Sequence, residues 1–384
     1  MKRVLVTGCS GLVGSEAAHY FDSLGYRVLG IDNNLHAASS GSHDGTNQNL
    51  QWLKASTKYF RHENVDLRSR RAIGLLLARD KYDLIVHCAG QSSPDFAHRR
   101  PLDDFDVNAL GTMNLLEAAR QSCPEAPFVT MSSSRVYGEA AGEYPIAELP
   151  TRYDYVQPED YQGVNESCRI DASAHTILGA TKLAADIMTQ EYGRSFNMPT
   201  CVFRPSCLVG SRPSGTLQEG FLNDLVRVAI GGDRFMVVGY KGKQVRDPLH
   251  TRDVVAAIHA FAETPRFGEV YNLGGGRGNS VSIFECIERL KDMTGTNIPI
   301  DYQPFQRTGE HTCYITDWAK FCSHYPAWGI SCGLDEILTD LLRAEWRVSA
   351  DHIPEPVGSS VVDTGTVLNS SRFSMSVPGC NWIG

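Results

Sequence analysis

Residues 3–14 read RVLVTGCSGLVG, a short apolar run that breaks into glycines at positions 8, 11 and 14. The next residues keep a helical spacing: Leu12, Val13, Ala17, Ala18, Phe21 and Leu24 recur on one face, and Gly25 ends the pattern. A second apolar run, RVLGI at 27–31, leads directly into Asp32. Strand, glycine loop, helix and strand within about 30 residues make the unit that holds a dinucleotide. Gly8 permits the tight turn out of the strand, Gly11 lets backbone amides approach a pyrophosphate, and Gly14 lets the helix lie close to the sheet. The helix N-terminus then faces the negative charge. Asp32 can accept hydrogen bonds from a ribose diol and would repel a 2′-phosphate. Asn33 and Asn34 follow it with no arginine, so the stretch favours NAD over NADP.

The alternation continues outward from this unit. Val65 and Asp66 end a short strand, and a helix is expected at about 68–80. Tyr82–Cys88 reads as a buried strand running into Ala89 and Gly90. Helices are expected at 103–121 and 176–195, and strands at 126–131 and 200–203. Alternating strands and helices predict an α/β fold with a doubly wound parallel sheet, Rossmann-like. After about residue 210 glycines and prolines break the pattern, and helices are expected at 217–230, 251–263 and 281–293. We expect residues 1–209 to form the NAD-binding domain, with part of the chain after 250 returning to it. Residues 210–347 are expected to be mainly a smaller α/β substrate lobe, and 348–384 a C-terminal extension.

Composition narrows the function classes. The chain has 384 residues, 42% hydrophobic and 21% charged, enough to build a normal core. Its 36 basic and 44 acidic residues leave a net charge of −8 with no basic run, which argues against a nucleic-acid backbone or an anionic membrane as partner. No apolar stretch approaches the length of a membrane span. The N-terminus enters a strand at once, so no secretion signal is expected and the cytoplasm is the expected location. Eleven scattered cysteines form no Cys-x-x-Cys pair, so neither a structural metal nor a disulfide framework is expected.

Further stretches, in order, resemble the extended short-chain dehydrogenase/reductase superfamily. They are the GxxGxxG spacing itself, HCAGQ at 87–91, Asn108 within DFDVNALG, SSSRVYG at 132–138, FRPSCLVG at 203–210, KGKQVRDPLHTRDVV at 241–255 and YNLGGG at 271–276. The resemblance covers about residues 1–347. It implies cofactor contacts at Gly8, Gly11, Leu12, Val13, Gly14, Asp32, Asn33, Asp66, Ala89, Gly90, Asn108 and Lys182. Asp66 would meet the adenine amino group and Lys182 the nicotinamide ribose. It implies substrate contacts at Ser134, Arg135, Arg246 and Arg307, the arginines suiting a diphosphate by their planar fork. It also implies a nucleotide-sugar or nucleoside substrate, and a homodimer formed through the helices at about 103–121 and 176–195.

One residue breaks the resemblance. The superfamily's chemistry uses a Tyr-x-x-x-Lys pair on one helix face, the lysine lowering the phenol's pKa so that it takes the alcohol proton. Here the helix reads HTILGATKLAAD, residues 175–186, with Lys182 present and Leu178 where the tyrosine would stand. None of the fifteen tyrosines has a lysine four residues later. A continuous helix would put His175 on the face of Leu178 and Lys182, making it the first candidate for the missing acid/base. Tyr161 and Cys168, in the segment before the helix, are others, and the substrate's own groups or a water relay are a further route. Ser133 matches the family's catalytic Ser/Thr. The following Ser134-Arg135 replaces the Asp-Glu pair that nucleotide-sugar 4,6-dehydratases carry, which favours epimerisation. The resulting expectation is an NAD-dependent epimerase acting through a transient ketone. A dehydratase that begins with the same oxidation and a non-catalytic NAD-binding protein are the alternatives.

Overall fold

The computed structural model describes residues 1–35, 47–210, 212, 220–305 and 311–351. Seven parallel strands form the central sheet: β1 (Arg3–Thr7), β2 (Arg27–Ile31), β3 (Phe60–Glu63), β4 (Leu84–His87), β5 (Phe128–Met131), β6 (Thr200–Pro205) and β7 (Glu269–Leu273). Their order is β3-β2-β1-β4-β5-β6-β7. The chain runs outward from β1 to β3, returns to the other side of β1, and then runs outward again through β4 to β7. Because the winding reverses between β1 and β4, the connections leaving these two strands diverge and open a crevice at their carboxyl ends.

The inner strands are apolar throughout because both faces are covered. Val4 and Val6 of β1 join Val86, Val129 and Phe203 in a core shared with helices α1 (Leu12–Ser23) and α6 (Thr251–Glu263). Leu5, between them, points to the opposite face, as the period of two requires. There it meets Ile31, Ile85 and Phe128 under helices α2 (Arg70–Arg79) and α3 (Gly111–Ser122). Helix α4 (Ile177–Phe196) precedes β6. Helices α5 (Phe221–Gly231), α7 (Ile283–Thr294) and α8 (Leu334–Asp351) share a separate core with Phe235 and Val237 of the strand Phe235–Val238, which pairs in parallel with Ile300–Gln303. The second half of the chain thus builds a smaller packed unit, while α6 and β7 lie with the central sheet.

Three expectations need correction. The helix expected at 103–121 is three pieces: Pro101–Phe105, a π-helical turn at Asp106–Leu110, and α3. Helix α8, Leu334–Asp351, is an element for which no helix is expected from the sequence. Its sequence, LDEILTDLLRAEWRVSAD, places Leu334, Ile337, Leu338, Leu341 and Leu342 on one buried stripe. The strand expected at Tyr82–Cys88 is confined to Leu84–His87.

Candidate active site

The glycine loop is held by contacts that exclude side chains. Gly8 adopts a φ of +66°, and a methyl group there would lie 2.7 Å from the Ala89 backbone at the end of β4. A methyl at Gly14 would overlap the Gly8 carbonyl oxygen. Gly11 caps α1 with no side-chain hydrogen bond, so among the described residues the first amides of the helix, at Leu12 and Val13, have no capping side chain. A close backbone turn ending in uncapped amides is a site for a diphosphate. Asp32 lies across the loop: its carboxylate accepts from the Ser10 amide at 3.0 Å and the Asn34 amide at 2.8 Å. Asp66 is clasped by Arg68 Nη2 at 2.6 Å and Nε at 3.0 Å, and this pairing holds its carboxyl below the ordinary range. These features fit NAD. Gly8, Gly11, Leu12, Val13 and Gly14 would hold its diphosphate, Asp32 and Asn33 the adjoining ribose, and Asp66 the adenine.

Lys182 lies over the end of β4. A methyl at Gly90 would sit 2.5 Å from Lys182 Nζ and 2.9 Å from Asn108 Oδ1. Asn108 is buried in the π-helical turn, accepts from the Gln91 amide at 2.9 Å, and donates to Thr181 Oγ1 at 3.2 Å and Asp104 Oδ1 at 3.3 Å. The extra residue of the π turn re-aims Asn108 towards α4, which an unbroken α-helix would not do. Burial pushes Lys182 below the ordinary ammonium pKa, against the pull of Asp104 and Cys88. Leu178, one turn earlier, is only 2% exposed.

Ser133 is half-buried at the end of β5, and its hydroxyl accepts from the Arg135 amide at 3.2 Å at the start of the short helix Ser134–Gly142. Its neighbour Ser132 donates to Asp186 Oδ2 at 2.8 Å. Asp186 lies one turn after Lys182 and forms a two-pronged pair with Arg204 of β6, both contacts at 2.9 Å. Burial works against the Arg204 charge, but Asp186 outweighs it and raises the pKa. Arg204 also donates to Tyr137 Oη at 3.1 Å, which donates to Asn272 Oδ1 at 2.7 Å. A fully buried network therefore fixes the Ser133 and Lys182 backbones relative to each other. Sequence reasoning missed Asp186 and Arg204; FRPSCLVG was read only as a family stretch, although an arginine inside a buried strand signals a buried partner.

His175 does not share the helical face on which its candidacy rested. Helix α4 starts at Ile177 and is capped by Thr176, whose side chain accepts from the Gly179 amide. His175 stands before the cap, its Nε2 donates to the Ile170 carbonyl at 2.8 Å, and its Nδ1 is buried against Gly138 with no hydrogen-bond partner among the described residues. Tyr161 is 54% exposed and lies under the Arg277 guanidinium, 4.3 Å from the ring centre. Cys168 is buried beside Tyr144, and burial raises its thiol pKa. Ser134 and Arg135 are half-buried at the same helix start as Ser133. Arg246 is half-buried, with a hydrogen bond to the Val245 carbonyl at 2.7 Å and no acidic partner among the described residues. Arg307 lies outside the described residues.

His311 was not anticipated. Its Nε2 donates to the Gly138 carbonyl at 2.8 Å and its ring stacks on Tyr314. Burial lowers its pKa to about 4, and the charges of Arg246 and Arg135 push the same way. Two arginines therefore face one neutral imidazole, a site with the polarity for an anion. Among the described residues no cluster of three or more side chains has the makings of a metal site.

A doubly wound sheet with a glycine loop at its reversal, and a serine and a lysine at neighbouring strand ends, defines the short-chain dehydrogenase/reductase class. Within that class the chain belongs to the NAD dependent epimerase/dehydratase family, whose profile matches residues 4–274. NAD is its cofactor. The chain is 32% identical over 329 residues to CDP-paratose 2-epimerase of Salmonella typhi, covering 83% of this chain and 92% of that protein. It is 27% identical over 348 residues to UDP-glucose 4-epimerase of Yersinia pestis, covering 88% and 95%. The fold is similar to the crystal structure of Thermus thermophilus UDP-glucose 4-epimerase in complex with NAD, with a TM-score of 0.71, 24% identity and coverage of 90% of this chain and 99% of that one.

Proposed function

We propose that the protein epimerises a nucleotide-linked sugar or a related nucleoside by transient oxidation of a ring hydroxyl. NAD, when bound, supplies the hydride acceptor and returns the hydride, so it is not consumed. Ser133 would hydrogen-bond the reacting hydroxyl, and Lys182 would stand beside it at the nicotinamide end. Arg246, unpaired by any acid among the described residues, would take the diphosphate. The observation that carries the choice of epimerisation is the pair Ser134-Arg135 behind Ser133. Neither residue can act there as the carboxylic acid and base that expel water in the 4,6-dehydratases. The relative at 32% identity, itself an epimerase, supports the same reading.

The test is incubation with cytidine and uridine diphosphate sugars in deuterated water. An isomer of unchanged mass, with or without one deuterium, is expected. A product lighter by one water would establish the dehydratase instead, and no change with any sugar while NAD stays bound would establish a non-catalytic binder.

The same reading includes a homodimer in the cytoplasm. Leu102 is 81% exposed, and Phe105, Leu110, Ile187 and Phe196 also face outward on the 101–110 segment and α4. Exposed apolar residues on neighbouring helices suit a two-fold contact with a second copy. No helix among the described residues is long and apolar enough to cross a membrane. Light scattering should give twice the chain mass, and Leu102→Glu with Phe105→Glu should halve it.

A further inference from the structure

The missing phenol removes the proton carrier on which the superfamily relies, and His175 stands before the cap of α4, outside the helix that carries Lys182. We propose that the amine of Lys182 itself takes and returns the hydroxyl proton, in the place a tyrosine at 178 would fill. This rests on the epimerase reading above and deepens it.

The argument starts from what Leu178 removes. In a tyrosine–lysine pair the phenolate and the ammonium stabilise each other's charge, so each shifts the other's pKa. With leucine at 178, four residues before Lys182 and buried, the helix face one turn away offers no anion and no hydrogen bond. Lys182 Nζ has no hydrogen-bond or ion-pair partner among the described residues. It sits over Gly90, where a methyl group would come within 2.5 Å, at the carboxyl end of the strand that borders the cofactor crevice.

The groups facing it are few. His87 is neutral, its pKa lowered to about 3 by burial and by the lysine's own charge. Cys88 is a thiol pushed up to about 12 by burial. Asp104 is the one opposing charge, and its carboxylate is already engaged by Thr181 at 2.5 Å, Gln91 at 2.7 Å and Asn108 at 3.3 Å. A desolvated amine whose one opposing carboxylate makes no ion pair with it and is already hydrogen-bonded is poised to lose its proton, and the lysine's lowered pKa agrees with that geometry.

The step balances. With NAD bound to supply the hydride acceptor, the O–H proton would go to the neutral amine of Lys182, the hydrogen on the same carbon would leave with its electron pair to that acceptor, and the carbon would become a ketone. The return step gives both back. Arginine at this position could keep a cation near the ribose but could not release a proton.

The experiment needs no substrate in its first arm. The NAD-bound protein is prepared with 13C-labelled lysine, and the Lys182 signal, identified by its loss in Lys182→Arg, is titrated by NMR. A midpoint below the ordinary lysine value of ~10.4 is expected, because the amine is desolvated. A midpoint at or above that value overturns the proposal. Leu178→Tyr should move the midpoint upward, and Leu178→Phe, equally bulky but without the phenol, should not; equal shifts in both would also overturn it. In the second arm, turnover of Lys182→Arg is measured at an NAD concentration that calorimetry shows to saturate the variant, so that a change in cofactor affinity is kept apart from a change in the chemical step. The variant should form ketone about 10² to 10⁴ times more slowly. Full turnover by Lys182→Arg overturns the proposal. A wild-type protein that turns over no nucleotide sugar would instead defeat the epimerase reading, with the lysine titration still deciding the state of the amine.

Discussion

Asp32 does two things at once: it holds the glycine loop through the Ser10 amide and faces the crevice where a ribose would lie. Because its charge, rather than its shape, excludes a 2′-phosphate, wild-type protein should bind NAD at least about tenfold more tightly than NADP. Asp32→Asn keeps an acceptor oxygen for the loop, so calorimetry should show most of that preference lost with the fold intact; NADP binding as tight as NAD in the wild type would defeat the argument. Leu178 gives the second residue-scale prediction. It is packed at 2% exposure in a helix turn whose next residue, Gly179, already leaves no room for a methyl beside the Arg135 carbonyl. A phenol forced into that space costs about 1–3 kcal/mol in repacking. Leu178→Tyr should therefore lower turnover by tenfold or so, and a rise would mean that the leucine is only a lost catalytic residue.

Helix α4 was legible as an element but not in its phase. Thr176 before an apolar start is a readable cap, and reading it would have placed His175 outside the helix. The glycine loop was legible because all its parts are neighbours in sequence. The anchor of α4 was not, because Asp186 and Arg204 meet only when β6 folds beside the helix, and His311 reaches Gly138 from 173 residues away. That anchor is energetically heavy: Arg204 is 3% exposed and Asp186 fully buried. Removing one charge leaves the other buried and unpaired, which costs on the order of 3–5 kcal/mol. Asp186→Asn should lose about that much in urea unfolding. It should also weaken NAD binding, since Lys182 is one turn away. A loss below about 1 kcal/mol would show that the pair does not position the helix.

At the scale of the whole molecule the sheet is pinned through a histidine that must stay neutral. His87 bridges β1 and α3, with Nδ1 2.7 Å from Thr7 Oγ1 and Nε2 2.8 Å from Thr112 Oγ1. Burial first, and Lys182 second, lower its pKa from an ordinary value of 6.5 to about 3. An unfolded chain therefore takes up this proton below about pH 6.5 while the folded one does not. The histidine's share of stability is complete above that pH and is lost as pH falls towards 3, at up to ~1.4 kcal/mol per pH unit. His311, lowered to about 4, acts in the same direction. Asp247 acts in the opposite one: burial raises it from 3.8 to about 6, so the folded state takes its proton first and gains as pH falls through that window. These terms overlap, so a single acid-unfolding curve cannot separate them, but a difference can. His87→Gln keeps a donor and an acceptor and cannot titrate. Urea unfolding of the two proteins should show the wild type losing about 2 kcal/mol more than His87→Gln between pH 6.5 and pH 5. Parallel pH dependences would mean that His87 already carries its proton in the folded sheet.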